Sequence, residues 1–201
     1  MSTKKKVSPA KAEATSARRS RVVLGVTASI AAYRAADIAS ILTKSGIDVD
    51  VVLTREARKF VTPLTFAAIT HRTVAIDDDE GTLGGKPSHL NLSDDADLVV
   101  IAPATANIIA EYAHGLAPEV LTSVLIATLA PVLIAPAMNG KMWEHPATKA
   151  NVELLKSRGV EFIGPERGLL ACGYEGIGRL WPVIGIAERI IEKLRDSRGK
   201  N

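Results

Sequence analysis

The stretch Asp97–Ala102, DLVVIA, restricts the fold more than any other. After Asp97 it has no polar alternation, so both faces of the strand it forms must be buried, as in the middle of a parallel sheet. It runs into Pro103-Ala104-Thr105-Ala106-Asn107, a small, polar turn that opens a helix. The same grammar occurs twice more. Arg21–Thr27, RVVLGVT, reads as a first strand, followed by GVTASIAA and an Ala-rich helix to about Ser45. Pro131–Ala135, PVLIA, reads as a buried strand that breaks at Pro136. Beyond it Met138, Asn139, Met142, Trp143 and His145 share one loop or first helical turn.

The rest of the chain fills in between these runs. Gly46 ends the first helix, and Ile47–Thr54 is a second strand. Pro63–Thr70 is a short helix and Thr73–Ile76 a short strand. Glu119–Leu129 and Pro146–Ser157 are helices, Val160–Ile163 is a last short strand, and Val183–Leu194 is an amphipathic helix. Strands and helices that alternate in this way predict an α/β, Rossmann-like (flavodoxin-like) parallel sheet with helices on both faces, a three-layer sandwich. Two stretches read as irregular. Asp77–Lys86, acidic and then Gly-rich, is expected to be a mobile loop over a site. Gly164–Arg179, with five glycines in sixteen residues, is expected to be a linker or a loop folded over a ligand.

Of the 201 residues, 47% are hydrophobic but only 4% aromatic, so the core must be built from Ala, Val, Ile and Leu. One domain over residues 21–195 is expected, between a basic tail (1–20) and a short C-terminal tail (196–201). The net charge of +3 is a property of the first tail. Six basic residues against Glu13 give residues 1–20 a charge of +5, which leaves −2 for the rest. The tail is expected to be disordered. With no basic cluster in the folded part, no nucleic-acid ligand is expected. With no long apolar run and no apolar segment behind the charged N-terminus, neither a membrane span nor a secretory signal is expected. Cys172 is the only cysteine and fits a reducing compartment, hence a cytoplasmic location.

In open α/β sheets, ligands sit beyond the carboxyl ends of the strands. The strand ends at 25–29, 103–107 and 136–139 therefore outline one site. Each candidate has a plainer alternative. The 25–29 turn is neither GxGxxG nor a P-loop, and is as well suited to tight packing as to a phosphate. Thr54 could bond a ligand or cap the next turn. His89 could be a base or an exposed loop residue, and Cys172 a reactive thiol or an idle one.

GVTASIAA, PATAN, PAMNGKMW and the Cys-Gly-x-x-Gly-x-Gly-Arg stretch resemble, in order and spacing, the flavin-dependent cysteine decarboxylases, over about Arg21 to Arg179. The resemblance implies bound FMN, held by Ala28, Ser29 and Ile30, by Thr54, Arg55 and Glu56, and by Thr105, Ala106, Asn107 and Ile108, with Ala137 close by. It implies His89 as base, Asn139 as ligand of the substrate carboxylate, Met142, Ala171 and Gly173 around the substrate, and Cys172 as proton donor on a flap. It also implies a homotrimer or homododecamer with flavin sites near subunit contacts, and no metal. The implied substrate is a small thiol, 4′-phosphopantothenoyl-cysteine of coenzyme A biosynthesis. The alternatives are the C-terminal cysteine of a ribosomal peptide and a non-catalytic flavin-binding regulatory role.

The residue types suit that chemistry. Removing a hydride from the carbon bearing sulfur gives a thioaldehyde, whose C=S can accept the electrons left by departing CO₂. A histidine can take the thiol proton near neutral pH. An amide holds the carboxylate without the fixed cation that would stabilise it against leaving. An acid such as Cys172 is needed only if the resulting ene-thiol is reduced again, so its presence favours the redox-neutral reaction.

Overall fold

The computed structural model describes residues 18–77, 82–83 and 86–198. The basic tail before Arg18, and most of the stretch expected to be a loop at 77–86, lie outside the described residues.

Five parallel strands form the central sheet. In chain order they are β1 (Arg21–Val26), β2 (Asp48–Leu53), β5 (Leu98–Ala104), β6 (Val132–Pro136) and β7 (Glu161–Phe162), and in space they run β2-β1-β5-β6-β7. The order reverses at β1/β5, as in flavodoxin-like sheets, which opens a crevice at their carboxyl ends. Strand β5 is buried at every position. Alternate side chains feed two cores. Val22, Leu24, Val26, Leu98 and Val100 pack under α1 (Arg34–Lys44), α2 (Pro63–Thr70) and α8 (Val183–Arg198). Val23, Val99, Ile101 and Ile134 pack under α4 (Ala106–Ala113), α5 (Val120–Ala127) and α7 (Pro146–Ser157). Helix α3 (Ser88–Asp95) lies beside α5 on this second face.

Gly25 owes its place to packing. A Cβ there would lie 2.5 Å from Leu121 Cδ1 and 2.8 Å from Ile101 Cδ1, so the glycine admits helix α5 and not a ligand. At the opposite, amino edge of the sheet, buried Asp50 takes Arg72 Nε at 2.5 Å, and Asp97 accepts the Arg21 N–H at 2.7 Å. This network pins the strand starts away from the crevice.

Several expectations need correction. The glycine-rich stretch is not irregular: β8 (Glu166–Leu169) and β9 (Glu175–Arg179) form an antiparallel hairpin. Its glycines admit close neighbours. At Gly178, φ is +140° and a Cβ would lie 2.2 Å from Met138 O, a contact no side chain can make. His89 lies in the first turn of α3 and not on a loop. Just before it, β3 (Thr82–Leu83) and β4 (Lys86–Pro87) pair antiparallel inside the stretch expected to be a loop. The strand expected at Thr73–Ile76 is reduced to a single parallel bridge between Val52 and Ala75. Helix α8 runs on to Arg198, into the stretch assigned to a C-terminal tail.

Candidate functional site

Thr27 ties the crevice together. Its buried hydroxyl donates to Pro103 O at 2.8 Å and accepts the Thr105 N–H at 3.1 Å, so one side chain joins the carboxyl ends of β1 and β5. On either side of it a turn opens helical structure. Ser29 accepts the Ala31 N–H ahead of a 3-10 turn (Ile30–Tyr33) that leads into α1. Thr105 accepts the Ile108 N–H at the start of α4. The first N–H groups of such turns lack intrahelical partners.

The third strand end carries the polar cluster. Asn139 caps the five-residue helix α6 (Gly140–Glu144), and its Oδ1 accepts the Lys141 N–H at 2.8 Å. The same oxygen accepts the Tyr174 hydroxyl at 3.0 Å. With the carbonyl side occupied, Nδ2 faces outward and donates to Cys172 Sγ at 3.3 Å. Cys172 is exposed at the tip of the β8–β9 hairpin. The hairpin is held on the β6 loop by the Met138 N–H, which donates to Gly178 O at 2.9 Å. Gly140 and Gly176 leave room for the Tyr174 side chain: a Cβ at either would meet it at 3.2 and 2.9 Å. Strand β6 thus supplies the amide, and the hairpin brings the thiol to it.

These parts enclose a cleft of about 460 Å³, within the range of roughly 300–1,000 Å³ usual for ligand pockets. Of the expected residues, Ala28, Ser29, Ile30, Thr105, Ala137, Asn139, Met142, Ala171 and Cys172 line it together. Tyr33, Arg34, Met138, Leu169, Leu170, Arg179 and Leu180 line it as well, and the sequence reading did not assign them. Small side chains at 28, 29, 105 and 137, an exposed Ile30 and Met142, and hydroxyls at two helical starts suit a flat aromatic ring joined to a phosphate. A flavin mononucleotide fits this donor set.

Other expected residues stand apart from the cleft's lining. Thr54 has the capping role: it is buried and accepts the Ala57 N–H at 3.3 Å. Arg55 faces Glu119. Burial chiefly pushes the Glu119 carboxyl up, Asp77 and Glu111 add to this, and Arg55 opposes it. Glu56 is paired outward with Lys59 at 2.5 Å. Ile108 is buried in the second core, Ala106 opens α4 beside it, and Asn107 donates to Glu111 on the exposed face of α4. Gly173 is exposed beside Cys172. His89, half-buried on α3, does not line the cleft. His145 is a cap: its Nδ1 accepts the Ala147 N–H.

The sequence missed Tyr174 and Thr27 as site residues. Each works through a hydrogen bond to a distant part of the chain, and only the folded hairpin and sheet create those bonds. The nearest signal was Tyr174's place two residues after Cys172 in the glycine-rich motif.

Known proteins agree with this architecture. A "Probable phosphopantothenoylcysteine decarboxylase" of Streptococcus mutans is 41% identical over 180 residues, covering 87% of this chain and 98% of that protein. The "Coenzyme A biosynthesis bifunctional protein CoaBC" of Bacillus subtilis is 46% identical over 159 residues, covering 79% of this chain, and the chain spans only 39% of that relative's length. A cysteine-to-serine mutant of PPC decarboxylase, solved in complex with pantothenoylaminoethenethiol, superposes with a TM-score of 0.78 at 30% identity, over 86% of this chain and 97% of that one. The FMN-dependent cysteine decarboxylase SpaF superposes with a TM-score of 0.74 at 32% identity, over 87% and 97%. The Flavoprotein family matches residues 10–195, nearly the whole chain, and the protein belongs to that family.

Proposed function

We propose that this protein is a carboxy-lyase that uses FMN to decarboxylate 4′-phosphopantothenoyl-L-cysteine to 4′-phosphopantetheine in coenzyme A biosynthesis. The observation that carries the reading is the Asn139–Cys172 pair, 3.3 Å apart, in one cleft with Ser29 and Thr105. FMN, when bound, supplies a two-electron hydride acceptor and donor; everything else falls to the chain's own side chains. Ser29, Thr105 and the helical N–H groups behind them hold its phosphate, and Ala28, Ile30 and Ala137 leave room for its ring. Asn139 Nδ2 holds the substrate carboxylate as a neutral donor until CO₂ leaves. Cys172 Sγ, beside that amide, delivers the proton that returns the ene-thiol carbon to a saturated one. A structural neighbour, a cysteine-to-serine mutant of PPC decarboxylase in complex with pantothenoylaminoethenethiol, supports this role.

His89 serves as the base that takes the substrate thiol proton. Within one chain it is not among the residues around the cleft. The proposal therefore includes a homotrimer, or a dodecamer built of trimers, in which α3 of a neighbouring copy completes the site. Large apolar side chains left half or more exposed, such as Ile30, Leu116 and Ile126, supply surface for such contacts. A cytoplasmic location fits the reaction; among the described residues no helix is long and apolar enough to cross a membrane.

The test is a substrate comparison by mass spectrometry on the FMN-loaded protein. Loss of CO₂ from 4′-phosphopantothenoyl-cysteine, giving a fully saturated thiol, is the expected result. Preferential consumption of a peptide with a C-terminal cysteine would replace this reading with peptide modification. Flavin binding without turnover of either would leave a regulatory flavoprotein.

A further inference from the structure

A second cavity adjoins the cleft. The two share Arg34, Arg179 and Leu180 as lining residues. The second cavity, about 580 Å³, lies between α1 and the start of α8, and its wall also carries Lys44, Asp37 and Glu166. Three basic residues face two acidic ones there. Leu180 is buried and forms a floor common to both spaces.

The two guanidiniums are incompletely matched. Arg34 is in no ion pair among the described residues; its Nε donates to the Tyr33 hydroxyl at 3.2 Å, which leaves its terminal NH₂ groups to other partners. Arg179 Nε lies 3.8 Å from Glu166 Oε2, a distance for attraction but too long for a hydrogen bond. Its side chain lies along the flat face of Gly168, where a Cβ would be 3.2 Å from Nη1. The hairpin thus presents a supported arginine to the two cavities that Arg34, the first residue of α1, also lines. Paired arginines suit a phosphate group, which takes several charge-assisted hydrogen bonds at once.

We infer that Arg34 and Arg179 form the subsite for the phosphate at the far end of the substrate's pantothenoyl arm. The inference rests on the proposed function. Once the cysteinyl carboxylate is held at Asn139, the whole arm extends from one side of the reacting centre and must leave the cleft. The second cavity adjoins the cleft at Leu180, where Arg34 and Arg179 line both spaces and Lys44 lines the second alone. The pair selects phosphorylated over unphosphorylated thiols. It also explains the wide second cavity, which cysteine chemistry alone does not use.

The experiment compares equilibrium binding of 4′-phosphopantetheine and pantetheine to the flavin-loaded protein by calorimetry. The wild type is expected to favour the phosphorylated ligand by at least tenfold. Arg34→Gln and Arg179→Gln should each cut that preference by on the order of tenfold. Arg179→Lys should restore part of it, which separates charge from hairpin folding. Equal weakening of both ligands, or no change in the preference, overturns the subsite. Loss of visible flavin absorbance per chain in Arg34→Gln also overturns it, by assigning that arginine to the flavin. Binding needs no turnover, so a wild type that prefers the phosphorylated ligand yet decarboxylates nothing would sink the catalytic reading alone.

Discussion

At the scale of single residues, the site turns on which way one amide points. Asn139 Oδ1 accepts both the Lys141 N–H and the Tyr174 hydroxyl, and this is what leaves Nδ2 to Cys172 and to a carboxylate. Tyr174 is therefore a positioning residue. Tyr174→Phe should lower kcat/KM for the carboxylate substrate by roughly three- to tenfold, the value of one hydrogen bond. The loss should appear mainly in KM, with flavin content unchanged. Steady-state kinetics with a flavin titration checks this, and an unaltered KM would remove Tyr174 from the account. Thr27 acts at the same scale: its hydroxyl serves two strands at once, so Thr27→Val leaves the half-buried Thr105 N–H short of an acceptor. The expected cost is about 1–3 kcal/mol of stability, with weaker flavin retention, both measurable in one thermal melt followed by flavin fluorescence.

At the scale of elements, the hairpin is the part that makes the strand end into a site. Strand β9 meets the β6 loop backbone to backbone, through the Met138 N–H and Gly178 O. Gly178→Ala would place a methyl 2.2 Å from Met138 O, at a φ that L-residues rarely adopt. The hairpin should detach while the sheet stays folded. Hydrogen exchange should then quicken over residues 166–179 and stay slow in β1, β5 and β6, with turnover greatly reduced. Uniform loss of protection would mean the hairpin also supports the core.

The hairpin also marks where sequence reasoning stopped. Strands β1, β5 and β6 were legible because each is an apolar run whose burial on both faces leaves no other place for it. The helices between them were legible from spacing and stop signals such as Gly46. Strands β8 and β9 were not, because their side chains alternate over a small, half-exposed surface and their glycines answer to close neighbours such as Met138 O. Within the site, Ala28, Ser29, Thr105 and Asn139 could be picked out because motif and strand end coincide, and Cys172 from the motif alone. Thr54 could not be resolved from sequence: capping and ligand binding use the same hydroxyl, which in the fold accepts the Ala57 N–H. His89 was misplaced onto a loop because its polar neighbours hid a helix start.

At the scale of the whole molecule, stability and assembly can be separated by pH and by mixing. Glu161 on β7 takes Arg189 at 2.5 Å and Lys193 at 2.8 Å, which clamps α8 to the sheet edge. These partners, Arg189 first, lower its carboxyl to about 2 from an ordinary 4.5. A depressed carboxyl stabilises the fold fully above the unfolded value, and that contribution fades as pH falls from about 4.5 toward 2. Partial exposure reduces it to about 1–2 kcal/mol. Denaturant melts of Glu161→Gln should therefore lie below wild type at pH 7 and converge with it near pH 2; a constant gap would mean the carboxylate contributes only packing.

Assembly is tested by co-expressing His89→Asn and Cys172→Ser chains, each expected to be inactive or stalled alone. Mixed oligomers should regain full turnover at sites that combine His89 from one copy with Cys172 from the next. Absence of any recovery in oligomers shown to be mixed would confine each site to a single chain.

The most direct test of the central claim is mass spectrometry of the Cys172→Ser protein, loaded with FMN and given 4′-phosphopantothenoyl-cysteine. If Cys172 supplies the last proton, CO₂ is lost and the product stays two hydrogens short of 4′-phosphopantetheine, as the ene-thiol. Multiple turnover to the saturated thiol would contradict the account.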